Sequence, residues 1–412
     1  IGWFITSMNP YNQMTTIASL GTHLLNLAGF FSTSLLLEIF TNHKNEMAEK
    51  FGILTVASIF KCLKHVLISG IALLHLHLYK VRDNCQDDRH LHSALGLLKR
   101  PLRHLKQKRV TFLCGDAGPL AVGAVIYSKL QKKAECEECL KRLLSLQDAV
   151  INDPNLPNEV LFGRVGYLFG LLFVRQHLGV EYIFKQVHTV IESGRHLSVS
   201  SDSPCPLMYE WHEKKYLGAA HGLVGIFYML MQLGLVACID STSRRKVYKN
   251  DLNDYVKPSI DWLMNLRFPS GNYPSSIGSS TGDKLVHWCH GAPGWIHMFV
   301  MAYKRFGDPK YLQCTKECAD VLWTRGLLKK GYGICHGTAG NGYGLLAAYK
   351  LTNEPKYLFR AMKFAEFCCD YGSHNCRIAD RPNSLFEGLA GTIYFLADVI
   401  DPRNSKFPAF EL

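Results

Sequence analysis

From residue 110 onward the chain alternates between two kinds of segment. One kind is apolar and almost free of charge, as in Ile226-Phe-Tyr-Met-Leu and Thr392-Ile-Tyr-Phe-Leu. The other spaces apolar residues three and four apart and leaves charge on the remaining face, as over 134–144 and 357–368. The first pattern belongs to a helix buried on every side, the second to a helix with one wet face. Alternating runs closed by hairpin turns are sparse, so the pattern predicts an all-α fold.

A Gly-x-x-Gly string stands before each apolar run. Its six copies begin at Gly115, Gly163, Gly222, Gly291, Gly337 and Gly388, spaced 48, 59, 69, 46 and 51 residues apart. A period of that length holds two helices of about 11–12 residues and their loops. The glycines let an inner helix start close to its neighbours without side-chain bulk. The expected architecture is an α/α toroid, a double ring of six to seven helical hairpins with the apolar helices inside. A stacked solenoid of hairpins is the competitor. Closure is favoured by the residues just before the motifs: Cys114, Phe162, His221, His290, His336 and Glu387. Chemically reactive types at one repeat position make sense if the inner helix starts converge on a central pit.

Composition narrows the class. Of 412 residues, 48% are hydrophobic and 19% charged, which is globular and not disordered. Fourteen scattered cysteines without a secretory signal read as reduced thiols in a cytoplasmic protein. The net charge is +12, and residues 80–109 alone hold nine Lys or Arg against three Asp, read as a solvated helix pair. The sequence begins at Ile1 and not at Met, which fits a fragment or an imperfect gene model. No Asp, Glu, Lys or Arg precedes Glu38. The stretch 17–37 is long enough to span a bilayer, yet it carries Ser19, Thr22, His23, Asn26, Ser32, Thr33 and Ser34. It reads as a buried or poorly defined helical segment and not as a span or a signal peptide.

Two repeats share a longer string, Cys289-His290-Gly291 and Cys335-His336-Gly337. Thiolate and imidazole are zinc's preferred ligands, and neighbouring inner helices would bring the two pairs together. Four ligands would close a structural site; three would leave a position for substrate. The Cys136-x-x-Cys139, Cys314/Cys318 and Cys368/Cys369 patterns fall on outer helices and read as structural thiols.

At these strings the chain resembles the eukaryotic lanthionine synthetase C-like proteins, most of all the first type of that family. The likeness is carried by Thr111-Phe-Leu-Cys-Gly-Asp-Ala-Gly-Pro-Leu, Pro206-Leu-Met-Tyr-Glu-Trp, Gly218-Ala-Ala-His-Gly-Leu and Phe268-Pro-Ser-Gly-Asn-Tyr-Pro. His287-Trp-Cys-His-Gly-Ala-Pro-Gly, Leu327-Leu-Lys-Lys-Gly-Tyr-Gly, Ser384-Leu-Phe-Glu-Gly and Phe407-Pro-Ala-Phe-Glu-Leu complete it. The resemblance makes residues 69–412 one barrel domain and leaves 1–68 an unmatched, atypical segment. The family barrel has seven hairpins. Here Leu67-Ile68-Ser69-Gly70 replaces the first Gly-Trp-Ala-Gly, so the first hairpin is expected to be atypical and ring closure is open.

The resemblance implies a zinc site of Cys289, Cys335 and His336 with an open fourth position. It makes His221 the catalytic histidine and puts Glu159 near an aspartate of the bacterial cyclases. His290 falls where those cyclases usually carry Tyr, which makes it a site residue and not a ligand. Glutathione is the implied co-substrate, with Lys330 and Arg377 as its basic contacts. The implied reaction adds the glutathione thiol to dehydroalanine or dehydrobutyrine residues of proteins. The alternative is a non-catalytic glutathione-binding scaffold that signals redox state to a partner protein. A toroidal carbohydrate hydrolase using Glu387 and Asp116 ranks below both, because it gives the Cys-Cys-His set no role. No phosphate-binding loop or nucleic-acid pattern is present. The expected location is cytoplasmic, with peripheral association at the plasma membrane as a further expectation.

Overall fold

The computed structural model describes residues 68–81, 87–105, 109–180, 185–236 and 248–412. The readings made for residues 1–67, and for 82–86 and 106–108 of the basic stretch, lie outside the described residues. In chain order the helices are α1 (68–81), α2 (Arg89–Arg103), α3 (Ala117–Lys129), α4 (Lys133–Ser145) and the short α5 (Gln147–Asn152). They continue with α6 (Arg164–Leu178), α7 (Gln186–Ser200), α8 (Leu223–Val236) and α9 (248–264, with a π turn at Leu252–Val256). The last are α10 (Ala292–Phe306), α11 (Pro309–Arg325), α12 (Thr338–Thr352), α13 (Pro355–Cys369) and α14 (Leu389–Ile400). Extended structure among the described residues is confined to two isolated bridges, Trp211 with Lys214 and Tyr216 with Ser276.

Helices α3, α6, α8, α10, α12 and α14 of the inner ring pack each on the next, and α1 joins them through side-chain contacts to α3 and α14. They are nearly free of charge and buried around their circumference, as a helix between two layers must be. The outer helices α2, α4, α7, α9, α11 and α13 bury one face only. In α4, Cys136, Cys139 and Leu143 turn inward while Glu135, Glu137 and Glu138 face water. Burial pushes the Cys139 thiol up to about 12 and that of Cys369 to about 11, which leaves both inert at neutral pH.

The ring is closed. On α1, His77 Nε2 lies 2.9 Å from Asp398 Oδ1 of α14, and the His77 ring stacks on Tyr394 at 3.9 Å. On its other side Lys129 of α3 sits over the Tyr79 ring. The departure from the family string at 67–70 therefore leaves α1 in its place in the ring. Among the described residues, no helix is long and apolar enough to cross a membrane.

The six motifs act through one repeated contact. A Cβ on the second glycine of each copy would meet the carbonyl oxygen six residues upstream at 1.9–2.2 Å, as Gly340 would meet Ile334 O and Gly118 would meet Phe112 O. Only glycine lets the preceding loop fold that tightly over the start of the inner helix. The crowding comes from the helix's own entry loop. In four of the six copies the first glycine caps the helix without a side-chain hydrogen bond, so the first N–H groups and the positive helix end face the loop layer. The loops are laced to one another: Cys289 N–H donates to Cys335 O, and Cys335 N–H donates to Phe386 O.

Residues 405–412 run into the middle of the ring. Phe407 and Phe410 are fully buried against Trp288, His297 and Tyr343, or Tyr228, from three inner repeats. Gln232 Nε2 donates to Phe410 O and Leu412 N–H donates to Gln232 Oε1. Because Trp288 precedes Cys289, this packing also fixes the loop that carries one cysteine of the pit.

Burial holds His297 and His75 near pKa 4. An unfolded chain binds these protons near pH 6.5, so stability is complete above that pH and falls as pH drops toward 4. Each group accounts for up to roughly 3 kcal/mol of that loss. Thermal melts between pH 7 and pH 4.5 are expected to show a falling Tm, with a shallower fall in His297→Phe. An unchanged pH slope in that variant would remove His297 from the acid response.

Candidate functional site

The entry loops of the inner helices meet on one face of the ring. There the structure gathers Cys289, Cys335 and His336, whose ligand atoms all lie within 4.8 Å of one another. They come from neighbouring inner repeats, before α10 and α12. Two thiols this close cannot both ionise without a cation. Hydrogen bonds from Cys335, His287 and His336 hold the Cys289 thiol well below its ordinary range, and they prevail over burial. The neighbouring Cys289 and burial push Cys335 well above it, with Glu387 adding to the effect. Two sulfurs and an imidazole around one excess negative charge form a set that could hold a metal ion, and soft donors of this kind suit transition metals over magnesium or calcium.

His290 follows Cys289 but is not part of this trio. It is half-buried, its Nδ1 has no partner among the described residues, and burial holds its pKa below the ordinary histidine value. Its ring lies 5.9 Å from Tyr216, which in turn lies 5.8 Å from His221.

His221 and Glu159, 62 residues apart, are paired: Nδ1 donates to Oε2 at 2.7 Å. Glu159 is 2% exposed, and it also accepts from the backbone N–H groups of Leu161 and Phe162. These donors keep the carboxylate in place as an acceptor. With Nδ1 committed as a donor, Nε2 of His221 is the atom left to take up or release a proton. The ring is held in an aromatic box: Trp211 stacks on it at 4.3 Å, with Phe162 parallel to it at 6.1 Å. Trp211 begins a tight turn in which His212 and Glu213 both have positive φ, a conformation costing about 1 kcal/mol or more per residue.

The two predicted basic contacts are placed differently. Lys330 and Arg377 lie on adjacent exposed segments, joined where Arg377 N–H donates to Lys329 O at 2.8 Å. The Arg377 guanidinium is paired with Asp380. Nearer Cys335, a cavity of about 130 Å³ is lined by Cys114, Arg381 and Glu387 among others. Sequence reasoning assigned no role to Arg381, His287, Trp211 or Tyr216. His287 and Trp211 stood inside quoted strings, but only contact with Cys289 and His221 marks them.

The sequence model of a family described as lanthionine synthetase C-like protein matches residues 68–412. The glutathione S-transferase LANCL1 of Danio rerio is 47% identical over 352 residues, covering 84% of this chain and 84% of that protein. The solved structure of nisin cyclase superposes with a TM-score of 0.59 over 80% of this chain and 86% of its own, at 15% identity, a likeness of fold alone. On this evidence the chain belongs to the lanthionine synthetase C-like family.

Proposed function

We propose that the protein joins the thiol of glutathione to dehydroalanine or dehydrobutyrine residues in polypeptides, with one zinc ion held by Cys289, Cys335 and His336. The observation that carries this reading is a soft three-donor set and a Glu–His pair linked through His290 and Tyr216, whose rings lie 5.9 Å apart with Tyr216 5.8 Å from His221. The relative named as a glutathione S-transferase supports the choice of thiol. Zinc bound there would lower the pKa of an incoming thiol and leave it a soft nucleophile at neutral pH.

The remaining work falls to the chain's own groups. Addition forms a C–S bond at the β-carbon and opens the alkene. The thiol gives up its proton, and the α-carbon must gain one. His221 Nε2 is the group for that proton exchange, with Glu159 stabilising the imidazolium when it forms. The motif helices present positive ends to the developing negative charge. Glutathione is an anion, which suits Arg381 at the pit and Lys330 and Arg377 as a second basic pair.

The test is a thiol-addition assay on a dehydroalanine peptide with glutathione, run with metal analysis of the same preparation. Thioether product with about one zinc per chain is expected. Glutathione binding without product would replace the enzyme by a binding-only scaffold.

A further inference from the structure

Next to the His221–Glu159 pair, with Trp211 in its lining, lies a larger cleft of about 780 Å³. Its walls are α7, the loop after α5 and the turn starting at Trp211. The cleft is built in advance. Arg164 is 4% exposed and donates to the carbonyls of Val150, Asp153 and Leu156 and to Asn158 Oδ1, which pins the loop. Asn158 then donates to Ser193 Oγ on α7 at 2.9 Å, tying loop to wall.

Two features connect this cleft to the pit. Trp211 lines the cleft and stacks on His221. Asn158 lines it and is followed in sequence by Glu159. A polypeptide delivering one dehydro residue to His221 must leave the pit on both sides, at about 3.3 Å per residue.

The charge of the lining sets the preference. Apart from the internally committed Arg164, the lining contains no Lys or Arg, and its other basic side chains are His188, His196 and His212. It does contain Glu192, paired with Arg195 outside the lining, and Glu210, which is exposed and makes no ion pair among the described residues. Glu210 places one negative charge at this cleft on a chain of net charge +12. The amide and hydroxyl groups of Asn155, Thr189 and Ser193 suit the main chain of an extended peptide.

We propose that this cleft binds the stretch of polypeptide substrate flanking the reacting residue and prefers basic side chains there, through Glu210. The inference rests on the polypeptide substrate of the reading above and deepens it, sorting an anionic thiol and a basic peptide onto different sides of His221.

The test uses binding and not turnover, so it is independent of whether thiol addition occurs. Two fluorescein-labelled serine peptides of equal length, one with Lys and Arg flanks and one with Glu flanks, are titrated with the full chain at low salt. The basic probe is expected to bind about fivefold tighter, the scale of one exposed charge pair. Glu210→Lys is expected to erase or invert that preference while melting temperature and glutathione binding stay the same. His221→Ala is expected to keep it. Equal binding of both probes, no binding of either, or a preference surviving Glu210→Lys would overturn the proposal. Loss of thiol addition with the preference intact would instead count against the proposed reaction.

Discussion

His221→Ala is expected to lose about 10²–10⁴-fold in thiol addition to a dehydroalanine peptide, the usual cost of removing a general acid–base group. Metal content and glutathione affinity are expected to change little, because neither rests on this ring. The reason lies in the pairing with Glu159. The carboxylate fixes the tautomer by accepting from Nδ1, so the proton needed at the α-carbon passes through Nε2. Glu159→Gln should also slow the reaction, because an amide oxygen accepts the hydrogen bond but does not stabilise an imidazolium. Stopped-time product analysis by mass spectrometry checks both variants. Equal rates in the parent chain and His221→Ala would remove His221 from the chemistry.

Cys335→Ala is expected to strip the metal. One of three donor atoms within 4.8 Å disappears, and the remaining Cys289 thiolate no longer shares its charge with a second sulfur. Affinity should fall by more than about 100-fold, which is already the upper range for losing an outer-shell partner. Metal analysis after dialysis, with the thermal melt alongside, is the measurement. The melt should also drop, since a metal that binds only the folded chain stabilises it by linkage. Cys136→Ala, on the inner face of outer helix α4, should retain the metal. Near-stoichiometric zinc in Cys335→Ala would remove that residue from the ligand set.

The sequence determined the repeat and, through it, the architecture. Helical periodicity and the spacing of the Gly-x-x-Gly strings are local properties, fixed by which face of each helix must be dry. That was enough to predict an all-α toroid with the apolar helices inside. The duplicated Cys-His-Gly string contains the three residues that the structure brings together, because equivalent positions in neighbouring repeats are neighbours in space, but it also offered His290, which the structure leaves outside the trio. Other features depend on contacts that no local pattern encodes. Ring closure through α1 turns on His77 meeting Asp398 across most of the chain length. The glycine requirement proved to be a close approach to the carbonyl six residues upstream, visible only once the entry loops are folded. The Glu159–His221 pair joins two repeats through a 2.7 Å hydrogen bond, and the Trp211 turn that boxes the imidazole lies in a loop without periodicity. A sequence states which faces are buried; only the tertiary structure decides which buried polar groups meet, since that depends on side-chain direction and distance and not on spacing along the chain.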